Sequence, residues 1–257
     1  MRSSSVKTCW WMLLMLLPLC ACAKKYSAEP ISAQVVDADT KEPIEGVVVV
    51  AAWELKGGLE GGNFEGVMTV METVTDQSGH FHFAGWGPKG KPSYIRWYED
   101  ARLKSESPEF FLFKSGYRAG TFLNATNMKK QANDPSVQTS DWNGQTVPLK
   151  KFEGTLKGYA KDLGHLNTEL WAAMRRKCTW TQVPLMIEAL QRQTQIFEAA
   201  RIDIETFYDD LVSNESSIAS DGCSVKAFLR ERTENDVERR QPFPDVAPRF
   251  DLIEGFQ

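Results

Sequence analysis

Histidine is scarce in this 257-residue chain, with three copies, and positive charge is in deficit, with 30 Lys and Arg against 34 Asp and Glu. An acidic chain lacks the cation excess that neutralises phosphates, which argues against nucleic acid as a partner. Nucleotide and hydrolase signatures are missing as well. Gly90-Lys91 is followed by Pro92 and so completes no phosphate loop, and no G-x-S-x-G elbow occurs. No C-x-x-C supports a redox centre, and the folded part has too few His and Cys for a zinc site. What is present is ordinary globular material, 42% hydrophobic and 25% charged with 18 Gly and 12 Pro, which excludes a disordered, collagenous or multi-span membrane chain. It suffices for one large or two small domains.

The N-terminus reads as a targeting signal. Arg2 and Lys7 precede the apolar run Trp10-Trp11-Met12-Leu13-Leu14-Met15-Leu16-Leu17, and small residues and cysteines follow. The run falls short of the roughly 20 apolar residues of a spanning helix, and Pro18 would break it. Residues 1–21 are therefore expected to be removed. Leu19-Cys20-Ala21-Cys22 resembles the lipobox of bacterial lipoproteins, which implies cleavage before Cys22 and acylation of Cys22. Ala23 at the next position, instead of Asp, implies delivery to the outer membrane, facing the periplasm. The alternative is an A-x-A site at Ala21-Cys22-Ala23, giving a soluble exported protein that starts at Lys24. Cys9 and Cys20 leave with the signal, so the folded part keeps Cys178 and Cys223. They make one bridge or two buried thiols; a bridge would close a loop of about 46 residues, worth on the order of 4 kcal/mol.

Two regions differ in period. After a linker over residues 22–30, short β-rich runs occupy residues 31–151: Ile31–Val36, Gly46–Trp53, Val67–Val74, His80–Phe83, Tyr94–Trp97, Phe110–Phe113, Gly120–Leu123 and Thr146–Leu149. Their number and turn signals predict an antiparallel sandwich. Asp76-Gln-Ser-Gly79 predicts a turn closed by positive φ at Gly79, after which Phe81 and Phe83 face one way and His80 and His82 the other. The Gly-rich stretch Lys56–Gly66 reads as a long hairpin connection. Over residues 154–234 the period becomes helical. Leu156, Tyr159, Leu163, Leu166, Leu170 and Met174 define a first helix, and Met186, Leu190, Phe197, Ile204 and Leu211 a second, with Pro184 in its first turn. A third runs from Ser224 to about Arg232, and residues 235–257, with Pro242, Pro244 and Pro248, read as an irregular tail. The fold class is thus α+β: an N-terminal antiparallel β-sandwich followed by a small helical domain. The apolar helix faces are expected to pack on each other or on the sandwich.

The runs Ile31-Ser-Ala-Gln-Val-Val-Asp37, Thr40-Lys-Glu-Pro-Ile-Glu-Gly-Val-Val-Val-Val50 and Val74-Thr-Asp-Gln-Ser-Gly-His-Phe-His-Phe83 resemble a carboxypeptidase regulatory-like domain. Gly85-Trp-Gly-Pro88 and Phe113-Lys-Ser-Gly-Tyr117 resemble the variety found in proteobacterial envelope lipoproteins. The resemblance implies a prealbumin-like (Ig-like) sandwich and an accessory role, because such domains occur in many unrelated exported proteins. It brings no catalytic domain: none of His80, His82 or His165 starts a His-x-x-Glu pair. Transthyretin-like hydrolases end in Tyr-Arg-Gly-Ser, whereas Tyr117-Arg-Ala-Gly120 is internal and altered.

The remaining candidates each have a plain reading beside the functional one. His80-x-His82 could hold zinc or copper given a third ligand, or be two exposed polar residues. Asp37-Ala-Asp39 lacks calcium-loop spacing and reads as turn acids. Asp209-Asp210, with Glu205 one turn earlier, reads as a solvated face. Trp86, Trp97 and Tyr98 could stack on a sugar ring if exposed, or plug the sandwich. The expectation is a non-catalytic, lipid-anchored envelope protein that binds or scaffolds in the periplasm. Its expected partners are the membrane, through its anchor, and an envelope protein or glycan, with no cofactor. The alternative is a carbohydrate- or peptidoglycan-binding module.

Overall fold

The computed structural model describes residues 24–57, 63–95, 100–104, 107–123 and 136–236. Within these, the strands are β1 (Tyr26–Ala28), β2 (Ile31–Asp37), β3 (Val48–Gly57), β4 (Asn63–Val74), β5 (His80–Phe83), β6 (Trp86–Lys89), β7 (Arg102–Leu103), β8 (Glu109–Phe113), β9 (Gly120–Leu123), β10 (Val137–Gln138) and β11 (Thr146–Leu149). The helices are α1 (Leu156–Met174), α2 (Pro184–Ala199), α3 (Phe207–Ser213), α4 (Glu215–Ala219) and α5 (Val225–Asp236), with a 3-10 turn at Thr179–Gln182. The signal region 1–21, Cys22 and most of the tail lie outside the described residues.

Strand β3 organises the molecule. Its segment Val48-Val-Val-Ala-Ala-Trp53 is buried at every position, so both of its faces must be covered. It sits inside a sheet ordered β4-β3-β8-β9, with β7 pairing the far end of β3. Val49, Ala51, Trp53 and Leu55, with Phe110 and Leu112 of β8, face two three-stranded sheets, β11-β2-β5 and β10-β1-β6. There they meet Ile31, Ala33, Val35, Phe81, Phe83, Val147 and Leu149, and Trp53 meets Trp86 edge to face at 5.7 Å. This is the sandwich core. The pairing is not wholly antiparallel: β11 runs parallel to β2 and β10 parallel to β1, because each returns after a long excursion to lie beside the strand it joins.

The opposite face of the same sheet is a second core. Val48, Val50, Ala52, Phe111 and Phe113 pack with Leu163, Leu170, Met174, Trp180, Met186, Leu190 and Phe197 of the helical region. The helices thus form a third layer on the sandwich, and the change of period near residue 154 marks no break in the core. Polar contacts pin this layer. Val183 offers α2 no side-chain cap and Pro184 has no N–H, but the Glu72 carboxylate on β4 accepts from the backbone N–H of Leu185 (2.8 Å) and Met186 (2.6 Å). In the β8–β9 connection, Ser115 donates to Gln193 at 2.6 Å and Arg118 pairs with Asp162 at 2.9 Å.

Three sequence expectations are corrected. The strand expected from Tyr94 does not begin there: Tyr94 lies in a turn, and its hydroxyl donates to the Val67 carbonyl (2.9 Å) and accepts from the Val67 N–H (3.2 Å), while Arg96 and Trp97 lie outside the described residues. A side chain thereby occupies the edge of β4, where a further strand would pair. The Gly-rich hairpin is shorter than its composition suggests, because β3 continues to Gly57 and β4 resumes at Asn63, paired across. The second helix stops at Ala199, where Arg201 takes a left-handed φ of 56° and the Ile202 N–H donates to the Phe197 carbonyl. A new helix, α3, starts at a capping box in which Thr206 and Asp209 bond reciprocally.

Candidate functional site

The sequence candidates on the sandwich are held in place by structural bonds. Asp37, 3% exposed, accepts from the backbone N–H of Asp39 (2.9 Å) and Thr40 (3.0 Å), from the Tyr117 hydroxyl (3.1 Å) and from Lys151 (3.2 Å). These bonds, led by the Thr40 amide, hold its carboxyl well below the usual carboxylate range. Burial and the adjacent carboxylate push the Tyr117 hydroxyl up to about 12. Asp37 therefore locks the β2 turn to the β8–β9 connection and to the segment that follows β11, and Asp39 contributes its amide to that turn.

His80 and His82 lie exposed on one face of β5, opposite buried Phe81 and Phe83. His82 Nδ1 is 2.8 Å from Ser32 Oγ, and His80 Nδ1 is 3.0 Å from Ser78 Oγ. Among the described residues no group of three or more His, Cys, Asp or Glu is arranged to hold a metal. The Asp76–Gly79 turn forms as its residues predict, with Gly79 at φ 74° and Asp76 Oδ1 accepting the Ser78 and His80 amides. Trp86 corrects the exposed-aromatic reading: it is 9% exposed, packed on Trp53, with the Lys89 ammonium 4.6 Å from its ring centroid. Trp97 and Tyr98 lie outside the described residues.

In the helical layer Cys178 and Cys223 form a disulfide, with Cα atoms 5.9 Å apart, tying the segment after α1 to the start of α5. Asp221 reinforces the tie, accepting from the Lys177 amide (2.9 Å) and ammonium (2.6 Å). Between the end of α2 and the start of α3 lies a cleft of about 460 Å³ lined by Thr194, Glu198, Ile202, Asp203, Ile204, Glu205 and Asp209. Asp209 is committed to capping α3, accepting from the Thr206 amide and hydroxyl. Burial, then the Glu205 and Asp209 charges, raise Asp210 above the ordinary Asp range.

The structure also assembles a group of residues that sequence analysis did not single out. Glu54 of β3, Lys104 just after β7 and Glu109 at the start of β8 converge where β3 passes from pairing with β8 to pairing with β7. Lys104 Nζ lies 2.9 Å from Glu54 Oε2 and 3.7 Å from Glu109 Oε2, with all three side chains about nine-tenths buried. Ser107, fully buried, accepts the Glu54 N–H at 3.1 Å, and the Lys104 N–H donates to the Glu54 carbonyl at 2.9 Å. Burial, then repulsion from Glu54, raises the Glu109 carboxyl to about 7. The available signal was a lone Glu inside each of two otherwise apolar strands, Glu54 in Val48–Leu55 and Glu109 before Phe110-Phe-Leu-Phe113.

No protein-family model matches the chain, and no curated protein matches it. Solved structures resemble it weakly. One is the 3-chlorocatechol 1,2-dioxygenase of Rhodococcus opacus 1CP, 13% identical over 51% of this chain and 63% of that one, with a TM-score of 0.28. Others are the group B streptococcus pilus 2b backbone protein (16%, 48% and 41%, 0.24) and the shaft pilin SpaA of Lactobacillus rhamnosus GG (12%, 51% and 47%, 0.25). The chain spans less than two thirds of each of these proteins. TM-scores this low assign neither family nor activity. The class that the chain's own geometry defines is a mixed α+β protein, with several β-sheets packed together and a disulfide-tied helical layer on one of them.

Proposed function

We propose that the chain is a non-catalytic, lipid-anchored protein of the bacterial cell envelope that binds or scaffolds other components in the periplasm, held at the outer membrane through Cys22. The Cys178–Cys223 disulfide carries this reading, because such bonds persist in oxidising compartments. The other three cysteines, Cys9, Cys20 and Cys22, all belong to the N-terminal signal pattern. In support, Asp37, Asp76 and Asp209 are committed to turns and caps, an arrangement suited to rigidity more than to turnover. Pro43, Gly46, the Asp76–Gly79 turn and the inward Phe81 and Phe83 match the sequence pattern of a carboxypeptidase regulatory-like sandwich, whose accessory role fits a scaffold. Multiple acyl chains would anchor such a protein firmly, where a single chain is marginal.

The test is the intact mass of the full chain expressed in a Gram-negative host and extracted from its membranes, with Cys22→Ala beside it. The expected result is a mass for residues 22–257 plus acyl groups, a gain of two hydrogens on reduction, and loss of membrane association in the variant. An unlipidated wild-type chain starting at Lys24 overturns the anchor. Specific turnover by the purified protein, abolished by a point substitution, overturns the non-catalytic reading.

A further inference from the structure

We propose that Glu54, Lys104 and Glu109 form a proton-operated latch, which holds β7 and the start of β8 against β3 while the cluster carries an extra proton and loosens that corner of the sheet when the proton leaves. The argument begins with charge. Two carboxyl groups and one ammonium are packed together with side-chain exposures of 10%, 12% and 11%. Ionised throughout, the cluster would bury one uncompensated negative charge, which a site this dry disfavours strongly. One proton removes it.

Geometry decides which carboxyl holds the proton. Lys104 Nζ is 2.9 Å from Glu54 and 3.7 Å from Glu109, so Glu54 keeps the ammonium and Glu109 takes the proton. Among the described residues, the charged groups that act on Glu109 bring one cation and two carboxylates. From β3 comes Glu54, from the segment after β7 comes Lys104, and from α1 comes the carboxylate of Glu169, which adds negative charge. Strand β9, paired with Glu109 through Leu123, carries no charged residue, and β4 sets Val67 opposite Glu54.

The cluster also sits where the backbone can yield. Between the β3–β7 and β3–β8 pairings, the described residues are joined off the regular ladder by Lys104 N–H to the Glu54 carbonyl and by Glu54 N–H to Ser107 Oγ. Interrupted pairing of this kind confines an opening to one corner of a sheet. Loss of the Glu109 proton sets two carboxylates against one ammonium, and admitting water at those two bonds relieves the repulsion. Because Glu109 binds its proton more tightly folded than unfolded, its stabilising contribution is complete below the unfolded value of 4.5, erodes above it and is gone beyond about 7.

The test is amide hydrogen exchange of the full chain between about pH 5 and pH 8, corrected for the intrinsic rate and read at Glu54 and Lys104. Protection at both amides is expected to fall by roughly tenfold or more across that range, as a shift of one pH unit or more in a linked group requires. Glu109→Gln, which keeps a donor without a charge, and Glu54→Gln, which leaves one carboxylate for one ammonium, are both expected to flatten the profile. Flat protection in the wild type, or an undiminished fall in both variants, overturns the latch. A second readout stands apart from the variants: the side-chain carboxyl carbon of Glu109, followed by NMR in the wild-type chain, is expected to titrate near 7. Titration in the ordinary Glu range overturns the proposal whether or not the variants fold.

Discussion

Removing the disulfide tests the three-layer architecture as well as the bond. Cys178 and Cys223 are separated by 45 residues, and cross-linking a loop of that length withdraws entropy from the unfolded chain worth about 4 kcal/mol. Both cysteines lie in the helical layer, so the spread of the loss reports how that layer is coupled. Phe111, Phe113, Val48 and Val50 of the central sheet share one core with Leu163, Leu170, Met186 and Phe197, and the reverse face of the same strands fills the sandwich core. A perturbation of the helices is therefore expected to reach the sandwich. In urea, Cys178→Ala/Cys223→Ala is expected to lose about 4 kcal/mol, with a single transition whose midpoint is the same by far-UV helix signal and by near-UV aromatic signal. Two separated transitions, with only the helix signal displaced, would refute the shared-core reasoning. A loss under about 1 kcal/mol at an unchanged denaturant slope would refute the entropic estimate.

Two further substitutions test the turns that set the sandwich. Gly79→Ala places a Cβ 2.4 Å from the Val35 carbonyl oxygen at a φ of 74°, so thermal unfolding is expected to show a loss of about 1–3 kcal/mol; an unchanged midpoint would mean the turn relaxes freely. Asp37→Asn removes the charge from a buried group bonded to two amides, a tyrosine and a lysine, at an expected cost of about 2 kcal/mol near neutral pH. Because the Asp37 carboxyl is held below its ordinary value, its contribution is present above about pH 4 and is lost as pH falls further. The stability difference between variant and wild type is therefore expected to shrink on acidification, and a constant difference would contradict the assignment.

Local chemistry explains which parts of this fold were legible in the sequence. The Asp76–Gly79 turn, the alternation of His80 to Phe83 and the start of α2 at Pro184 each depend on residues adjacent in the chain. Apolar spacing is blind to the backbone: Phe197, Ile204 and Leu211 keep helical intervals across the break at Arg201, and the stronger local signal there was the Thr206–Asp209 capping box. Tyr94 carried strand propensity, yet its hydroxyl closes the β4 edge from outside. Trp86 offered no sign of its burial, because an aromatic near a strand end fits either a binding face or a core.

Residues adjacent in the chain specified the Asp76–Gly79 turn, the alternating faces of β5 and the start of α2 at Pro184, and they named Cys178 and Cys223 as a candidate pair. Long-range packing accounts for the covering of β3 on both faces, for the core it shares with the helices, and for the meeting of Glu54, Lys104 and Glu109 in one buried cluster. The division follows from the range over which each interaction acts. Turn geometry and periodicity act between neighbours in the chain, whereas burial and charge pairing depend on which distant segments enclose a group and exclude its water.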